Sequence, residues 1–335
     1  MRVLLTGASS LIGRELARSL TGRGDSVVCF QRHASGIPSD QRAMVEVLGD
    51  VRDAAAIEAA AVGCDAVVHL AAKVGVVGGW EEYRSVNVDG TANVLAAARR
   101  AGIGRFVHVS SPSVAHGGEA LIGAGADPPV LGRRRAYYAE SKAIAENETL
   151  AATSEEMAVV AIRPHLVWGP GDTQLVGRIV ERARAGRLAL VNRGHALVDT
   201  TYIDNAVSAL VAALDSVRPD AACAGRAYVI ANGEPRPIRD LIAGICAAAG
   251  VDFAPRDVPL AAATTVGSIV ERAWPVLRRS DEPPLTRFLA EQLGTAHWFD
   301  PRPAALDLGW APTVTIDEGL GRLAEWYAAD PEIDR

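Results

Sequence analysis

Tyr138 and Lys142 lie four residues apart in the run Tyr138-Ala139-Glu140-Ser141-Lys142. On a helix this spacing puts both side chains on one face about a turn apart, so an ammonium stands near a phenol. A nearby positive charge lowers a phenol's pKa from about 10 toward a range where it can exchange a proton with a carbonyl or alcohol oxygen while a hydride moves at carbon. Tyr137 is one residue out of phase with Lys142 and is assigned to packing.

A second constellation suits a nucleotide. In Thr6-Gly7-Ala8-Ser9-Ser10-Leu11-Ile12-Gly13, Gly7 can make a tight turn after a strand and Gly13 lets the following helix pack closely. The first amides of that helix, around Ser10, Leu11 and Ile12, can then hold a pyrophosphate. Ser10 occupies the place of a middle glycine, a departure from the usual pattern. Asp50 and Val51 follow a third strand, and Leu70-Ala71-Ala72 ends a fourth, where small residues let a cofactor lie against the backbone. At the end of the second strand an acid would favour NAD, and a basic residue would accommodate the 2′-phosphate of NADP. Gln31 stands in place of the acid and is followed by Arg32 and His33, so NADP(H) is expected, with NAD(H) as the alternative.

The elements that must position these groups alternate. Strand-like runs cover Arg2 to Leu5, Ser26 to Phe30, Met44 to Val47, Ala66 to Leu70, Arg105 to Val109 and Val159 to Ile162, with Ala-rich helical stretches between them. Continuous apolar runs of this kind suit parallel strands covered on both faces. A helix is expected from about Val88 to Arg100, stopped at Ala101-Gly102. Farther on, Thr201 to Leu214 reads as a strand end and a helix, and Ala227 to Ala231 as another strand. The fold class is therefore α/β, a Rossmann-type doubly wound parallel sheet with a smaller, discontinuous substrate domain. The dinucleotide-binding part is expected over 1–165 plus about 199–232, and the substrate part over about 166–198 plus 233–335.

The 335 residues suffice for such a unit, and 49% hydrophobic with 22% charged residues is ordinary globular usage. With 34 Lys and Arg against 40 Asp and Glu, the net charge of −6 offers no general attraction to a polyanion, so no nucleic-acid partner is expected. The longest stretch without a charged residue, Val258 to Val270, is too short for a spanning helix. Strand-like residues begin at Arg2 without a secretory leader, so a cytoplasmic location is expected. Cys29, Cys64, Cys223 and Cys246 are scattered and read as buried thiols, with neither disulfide nor metal site.

Taken in order, Thr6 to Gly13, Asp65-Ala66-Val67-Val68-His69-Leu70-Ala71-Ala72, Asn87 to Asn93, Ser110-Ser111 before Val114, and Tyr138 to Lys142 resemble the extended short-chain dehydrogenase/reductase family. The resemblance covers the whole chain. It implies that Tyr138 is the proton carrier, that Lys142 also binds the nicotinamide ribose, and that Ser111 holds and polarises the reacting oxygen, with Ser113 as the alternative. Pro164, in Arg163-Pro164-His165-Leu166-Val167-Trp168-Gly169-Pro170-Gly171-Asp172, would lie beside the nicotinamide. The stretches Leu197 to Val207 and Gly225 to Pro235 look like the 3β-hydroxysteroid dehydrogenase branch. Within it, Ser111 to Val114, Arg163 to Asp172 and Pro284 to Leu289 look most like the reductases of bacterial long-chain olefin biosynthesis, which reduce a 2-alkyl-3-oxoalkanoic acid to the 3-hydroxy acid.

That resemblance implies a bulky apolar oxo or hydroxy acid as substrate. The rivals are a 3β-hydroxysteroid or sterol-4α-carboxylate 3-dehydrogenase, then a sugar-nucleotide epimerase or dehydratase. A non-catalytic NADP-binding sensor is the reading from another class, and the intact Ser111, Tyr138 and Lys142 set argues against it. A carboxylate needs a cation, for which Lys73 and Arg193 are candidates. His165 is placed near the substrate oxygen or in a structural role, and Trp80 and Trp168 line the pocket or pack in the core. The helix expected over Val258 to Val270 covers a hydrocarbon pocket, lies on a membrane surface, or is an ordinary core helix. A homodimer or an assembly with pathway enzymes is compatible with the sequence.

Overall fold

The computed structural model describes residues 1–34, 43–75, 78–116, 119–132, 136–276 and 285–329; Pro284 of the motif above lies outside them. Seven strands, β1 (Arg2–Thr6), β2 (Ser26–Gln31), β3 (Met44–Leu48), β4 (Ala66–His69), β5 (Arg105–Val109), β6 (Ala158–Pro164) and β7 (Arg226–Ile230), form one sheet. Their order is β7-β6-β5-β4-β1-β2-β3, and every neighbouring pair is parallel. The order reverses between β1 and β4, the place where a doubly wound sheet opens a crevice at its carboxyl edge.

Alternation of side chains across the sheet divides the core. Leu5 packs on one face with Leu16 and Leu20 of α1 (Leu11–Gly22) and Leu210 of a helix spanning Ile203–Ser216. Leu4 packs on the other with Ile57 of α2 (Ala54–Ala61) and Val94 of α3 (Gly90–Arg100). Each such side chain contributes about 1.5–3 kcal/mol by leaving water, which makes this sheet a rigid platform for whatever its edge carries. The helix expected from Val88 begins its α-helical part at Gly90, after a π-helical turn over Arg84–Asp89. Gly90 lets that turn sit against the loop after β3, since a Cβ there would lie 2.7 Å from Val51 Cγ2.

Beyond the central sheet, four distant stretches combine into a small sheet, in the order Arg236–Pro237, Leu197–Val198, His297–Phe299 and Leu121–Ala124. The strand Leu121–Ala124 leaves the connection between β5 and α4 (Tyr137–Ala151), and it pairs with residues near 300. The apolar stretch from Val258 becomes a helix, Leu260–Val276, packed through Ala263 on Ala290 and Val191, while Val266 and Ile269 stay exposed. Among the described residues no helix is long and apolar enough to cross a membrane.

Candidate active site

At the end of β1 the chain turns at Gly7 with φ +75°, and a Cβ there would lie 2.8 Å from the Ala71 amide. Ser10 caps α1: its hydroxyl accepts from the Gly13 amide at 3.0 Å and donates to the Gly7 carbonyl at 2.9 Å. The serine in place of a middle glycine thus closes the turn on itself. By helix geometry the Leu11 and Ile12 amides have no carbonyl one turn back, so the positive end of α1 is open to an anion. The cleft above it, about 210 Å³, is bordered by Gly7, Ser10, Arg32, His33, Asp50, Val51, Leu70, Ala71 and Ala72, together with Ser9, Phe30, Gln31, Gly49 and Val86.

The far end of this cleft carries charge. Arg32 and His33 are exposed, whereas Gln31 is buried and donates to Glu46 of β3 at 2.5 Å. Asp50 takes two bonds from the Arg52 guanidinium, at 3.0 and 2.7 Å, and these, with the Arg52 amide and the charges of Arg52 and Arg32, hold its carboxyl below the usual range.

Tyr138 lies in the first turn of α4, over the end of β5 and the loop that follows. Burial raises its phenol above the ordinary value, and a hydrogen bond with Ser111 acts the other way. The Ser111 hydroxyl also lies 2.9 Å from Ser113 Oγ and accepts from the Ser113 amide at 3.2 Å, so the two serines act as one polar pair. Lys142 shares the helix face as its spacing requires, but its ammonium donates to the Val109 carbonyl at 2.6 Å and stands 3.4 Å from His108 Nε2. Burial lowers Lys142 to about 8, against the pull of Glu146. The sequence argument that Lys142 depresses the Tyr138 phenol is therefore not met in this arrangement, where burial and Ser111 act on that phenol. Glu146 is itself held by a buried, two-pronged pair with Arg163, one prong being Nε to Oε2 at 2.9 Å.

Behind Lys142 a chain of hydrogen bonds fixes the protonation of His69. Thr91 donates to the Asn87 carbonyl at 2.6 Å, so its oxygen accepts from His69 Nε2 at 2.9 Å, and His69 Nδ1 accepts from Thr6 Oγ1 at 2.7 Å. Burial, with the charge of Lys142, lowers this imidazole to about 3. Asn87, inside the π-helical turn, accepts from the Lys73 amide at 2.6 Å and donates to the Lys73 carbonyl at 3.0 Å and to Ser141 Oγ at 2.9 Å. Ser141 then donates to the Tyr138 carbonyl at 2.9 Å, tying the loop after β4 to the start of α4.

A second cavity, about 180 Å³, is lined by Ser111, Ser113, Tyr138, Pro164 and His165, all singled out in the sequence, and by Pro112, His116, Leu121, Leu166, Gln292 and His297, which were not. The other substrate candidates lie elsewhere. Lys73 pairs with Glu82 at 3.1 Å and sits over the Tyr83 ring, so its charge is already answered. Arg193 is exposed and pairs with Asp257 at 3.6 Å. Trp168 has no exposed surface; its indole donates to Thr200 at 2.9 Å and packs edge-on against Tyr202, which makes it a core residue. Trp80 packs against Tyr137, and neither borders either cavity. All four cysteines are buried, and among the described residues no group of three or more His, Cys, Asp or Glu is arranged to hold a metal ion.

A doubly wound sheet with an anion-binding helix end beside a serine, tyrosine and lysine is the arrangement of an extended short-chain dehydrogenase/reductase, an oxidoreductase using a nicotinamide cofactor. The model of the 3-beta hydroxysteroid dehydrogenase/isomerase family matches residues 4–260, and the chain belongs to that family. It is 48% identical over 98% of its length to the whole of the 2-alkyl-3-oxoalkanoate reductase of Stenotrophomonas maltophilia (strain K279a). It is 31% identical over 97% of its length to 91% of the 3-beta-hydroxysteroid dehydrogenase of Mycolicibacterium neoaurum. Among solved structures it is similar to MoeE5 in complex with UDP-glucuronic acid and NAD, at 25% identity and a TM-score of 0.75 over 98% of this chain and 99% of that one.

Proposed function

We propose that this enzyme reduces a long-chain 2-alkyl-3-oxo acid to the 3-hydroxy acid with NADPH. The observation that carries the reaction type is the half-buried Tyr138 phenol beside Ser111 at the edge of a cavity, and the relative from Stenotrophomonas maltophilia supplies the substrate class. Gly7, Ser10, Leu11, Ile12 and Gly13 would hold the pyrophosphate, Asp50, Val51 and Leu70 to Ala72 the adenosine side and the sheet edge, and Lys142 and Pro164 the nicotinamide end. Gly7 and Gly13 fit that role, since a Cβ at either would meet backbone within 3 Å. Arg32 and His33, with no acid at Gln31, favour NADPH over NADH.

A bound nicotinamide supplies the hydride; the chain's own residues handle the oxygen. Burial keeps the Tyr138 phenol protonated, the form needed to give a proton to the carbonyl oxygen as the alcohol forms. Ser111 would donate to the same oxygen, and Ser113 would orient Ser111. Lys142, charged and close to the sheet, would carry charge toward the ribose. Residues 1–165 with about 199–232 would form the dinucleotide part, and the remainder the substrate part.

The test is kcat/KM for a homologous series of 2-alkyl-3-oxo acids beside a 3-oxo steroid, with NADPH and with NADH. Each buried methylene contributes about 0.8 kcal/mol, so four more carbons should lower KM roughly a hundredfold until the pocket fills. Strong steroid turnover with no response to chain length would replace this reading by a steroid dehydrogenase, which the family name and the Mycolicibacterium neoaurum relative would then favour.

A further inference from the structure

In a 3-oxo acid the carboxyl carbon is two bonds from the ketone carbon, so the cavity that holds the ketone against Ser111 and Tyr138 must also meet the carboxylate. None of the described residues lining that cavity is a lysine or arginine. Its basic groups are three imidazoles from separate parts of the chain: His116 after the turn Pro112–Ala115, His165 after β6, and His297 opening the strand His297–Phe299. The His297 ring lies 5.1 Å from that of His116 and 6.0 Å from that of His165, centre to centre.

We propose that His116, His165 and His297 form the subsite for the substrate carboxylate, which binds there together with one proton. The proposal rests on the oxo-acid reading above and deepens it.

The hydrogen bonds set which nitrogens are available. His165 Nδ1 lies 2.5 Å from the Asp199 carbonyl, which can only accept, so Nδ1 carries the hydrogen and Nε2 keeps a lone pair. Thr295 gives its proton to the Glu291 carbonyl at 2.7 Å, so its oxygen accepts from His297 Nε2 at 3.2 Å, leaving the lone pair on His297 Nδ1. Two neutral rings thus each offer an acceptor, and a carboxylate, also an acceptor, can join them only with a shared proton. Burial keeps these rings uncharged, His165 at about 4 and His297 at about 3, with the neighbouring imidazoles adding to the effect. An anion among them reverses that balance, since an opposite charge at contact favours the protonated ring.

The other titratable groups facing the cluster do not compete. The Asp199 carboxylate is turned to the amides of Gly233 at 3.0 Å and Glu234 at 3.3 Å, and the Glu291 carboxylate accepts from Arg287 Nε at 2.8 Å. Tyr138 stands beside Ser111, whose hydrogen bond acts on its phenol. The turn that carries His165 is strained, because Leu166 has φ +44°, a conformation rare for a leucine and usually retained where a site requires it.

The experiment compares a long-chain 2-alkyl-3-oxo acid with the matched ketone that lacks the carboxyl group, in the wild-type enzyme and in His116→Gln, His165→Gln and His297→Gln. The wild type is expected to prefer the acid at least tenfold in kcat/KM. At least one variant is expected to lower that preference tenfold or more, mainly through KM for the acid. A preference unchanged in all three variants overturns the subsite while leaving the oxo-acid reading intact; no preference in the wild type overturns both. A second measurement needs no variant: calorimetric binding of the 3-hydroxy acid to the NADP⁺-loaded wild type, in two buffers of different ionisation enthalpy. Uptake approaching one proton per site is the expected result, and binding with no proton uptake overturns the proposal.

Discussion

Lowering the pH from about 7 to about 5 should remove a large part of this protein's stability. His69, His108, His165 and His297 are all buried. Burial drives His69 and His297 to about 3 and His165 to about 4, and pushes His108 well below the ordinary 6.5. Because the folded values are depressed, the stability these groups contribute is present above the unfolded value of 6.5 and is lost as the pH falls from there toward about 4. At about pH 5 each of the three rings held near 3 to 4 favours the unfolded chain by about 2 kcal/mol relative to neutrality, about 6 kcal/mol for the three, and His108 acts in the same direction. Asp199 opposes this, because burial raises its carboxyl to about 6 and protonation over the same interval returns about 1 kcal/mol to the fold. The remainder, about 5 kcal/mol, matches the lower end of the stability of an ordinary domain, about 5–15 kcal/mol. Urea unfolding followed by tryptophan fluorescence at three pH values and constant ionic strength measures it directly. A stability that stays flat between neutrality and about pH 5 would refute the argument that these four rings remain neutral in the folded state.

Three further outcomes bear on the cofactor and the chemistry. Tyr138→Phe should keep NADPH binding but lose roughly 10² to 10⁴ in turnover, and near-normal turnover would take this tyrosine out of the mechanism. Arg32→Ala should weaken NADPH roughly tenfold more than NADH in titrations of cofactor fluorescence, since only NADPH carries the extra phosphate; equal losses would show that Arg32 does not read it. Gly13→Ala places a Cβ 2.4 Å from the Gly7 carbonyl, a backbone contact that no rotamer relieves, so both thermal stability and cofactor affinity should fall; a variant with unchanged values would mean that α1 can shift without disturbing the cleft.

The sheet was legible because its signals are local. Runs such as Val27 to Phe30 and Val159 to Ile162 are apolar without alternation, and strands occur there within a residue or two of the expected limits. The cleft above α1 was legible for the same reason: Gly7, Asp50 and Ala71 each sit in a short motif, and the structure brings them to one crevice. The wall of the second cavity was not. Leu121–Ala124 has neither alternation nor a β-branched run and becomes a strand by pairing with His297–Phe299, far away in sequence. His116 and His297 carry no spacing signal toward Tyr138, and Lys73 looked available because nothing local announced Glu82 as its partner. The direction of the Lys142 ammonium was equally hidden, since helix periodicity fixes the face of a side chain and not the carbonyl it finds.

The residues bordering the cleft above α1 all fall between Gly7 and Val86, and those lining the second cavity all fall between Ser111 and His297. Changes in the later stretch can therefore reshape the second cavity without touching a single group that borders the first cleft. A lineage built on this plan can reshape the walls around Ser111 and Tyr138 by drift in a few cavity positions, while the residues bordering the first cleft stay fixed. Its reactions can diversify at the rate of one wall rather than of the whole protein.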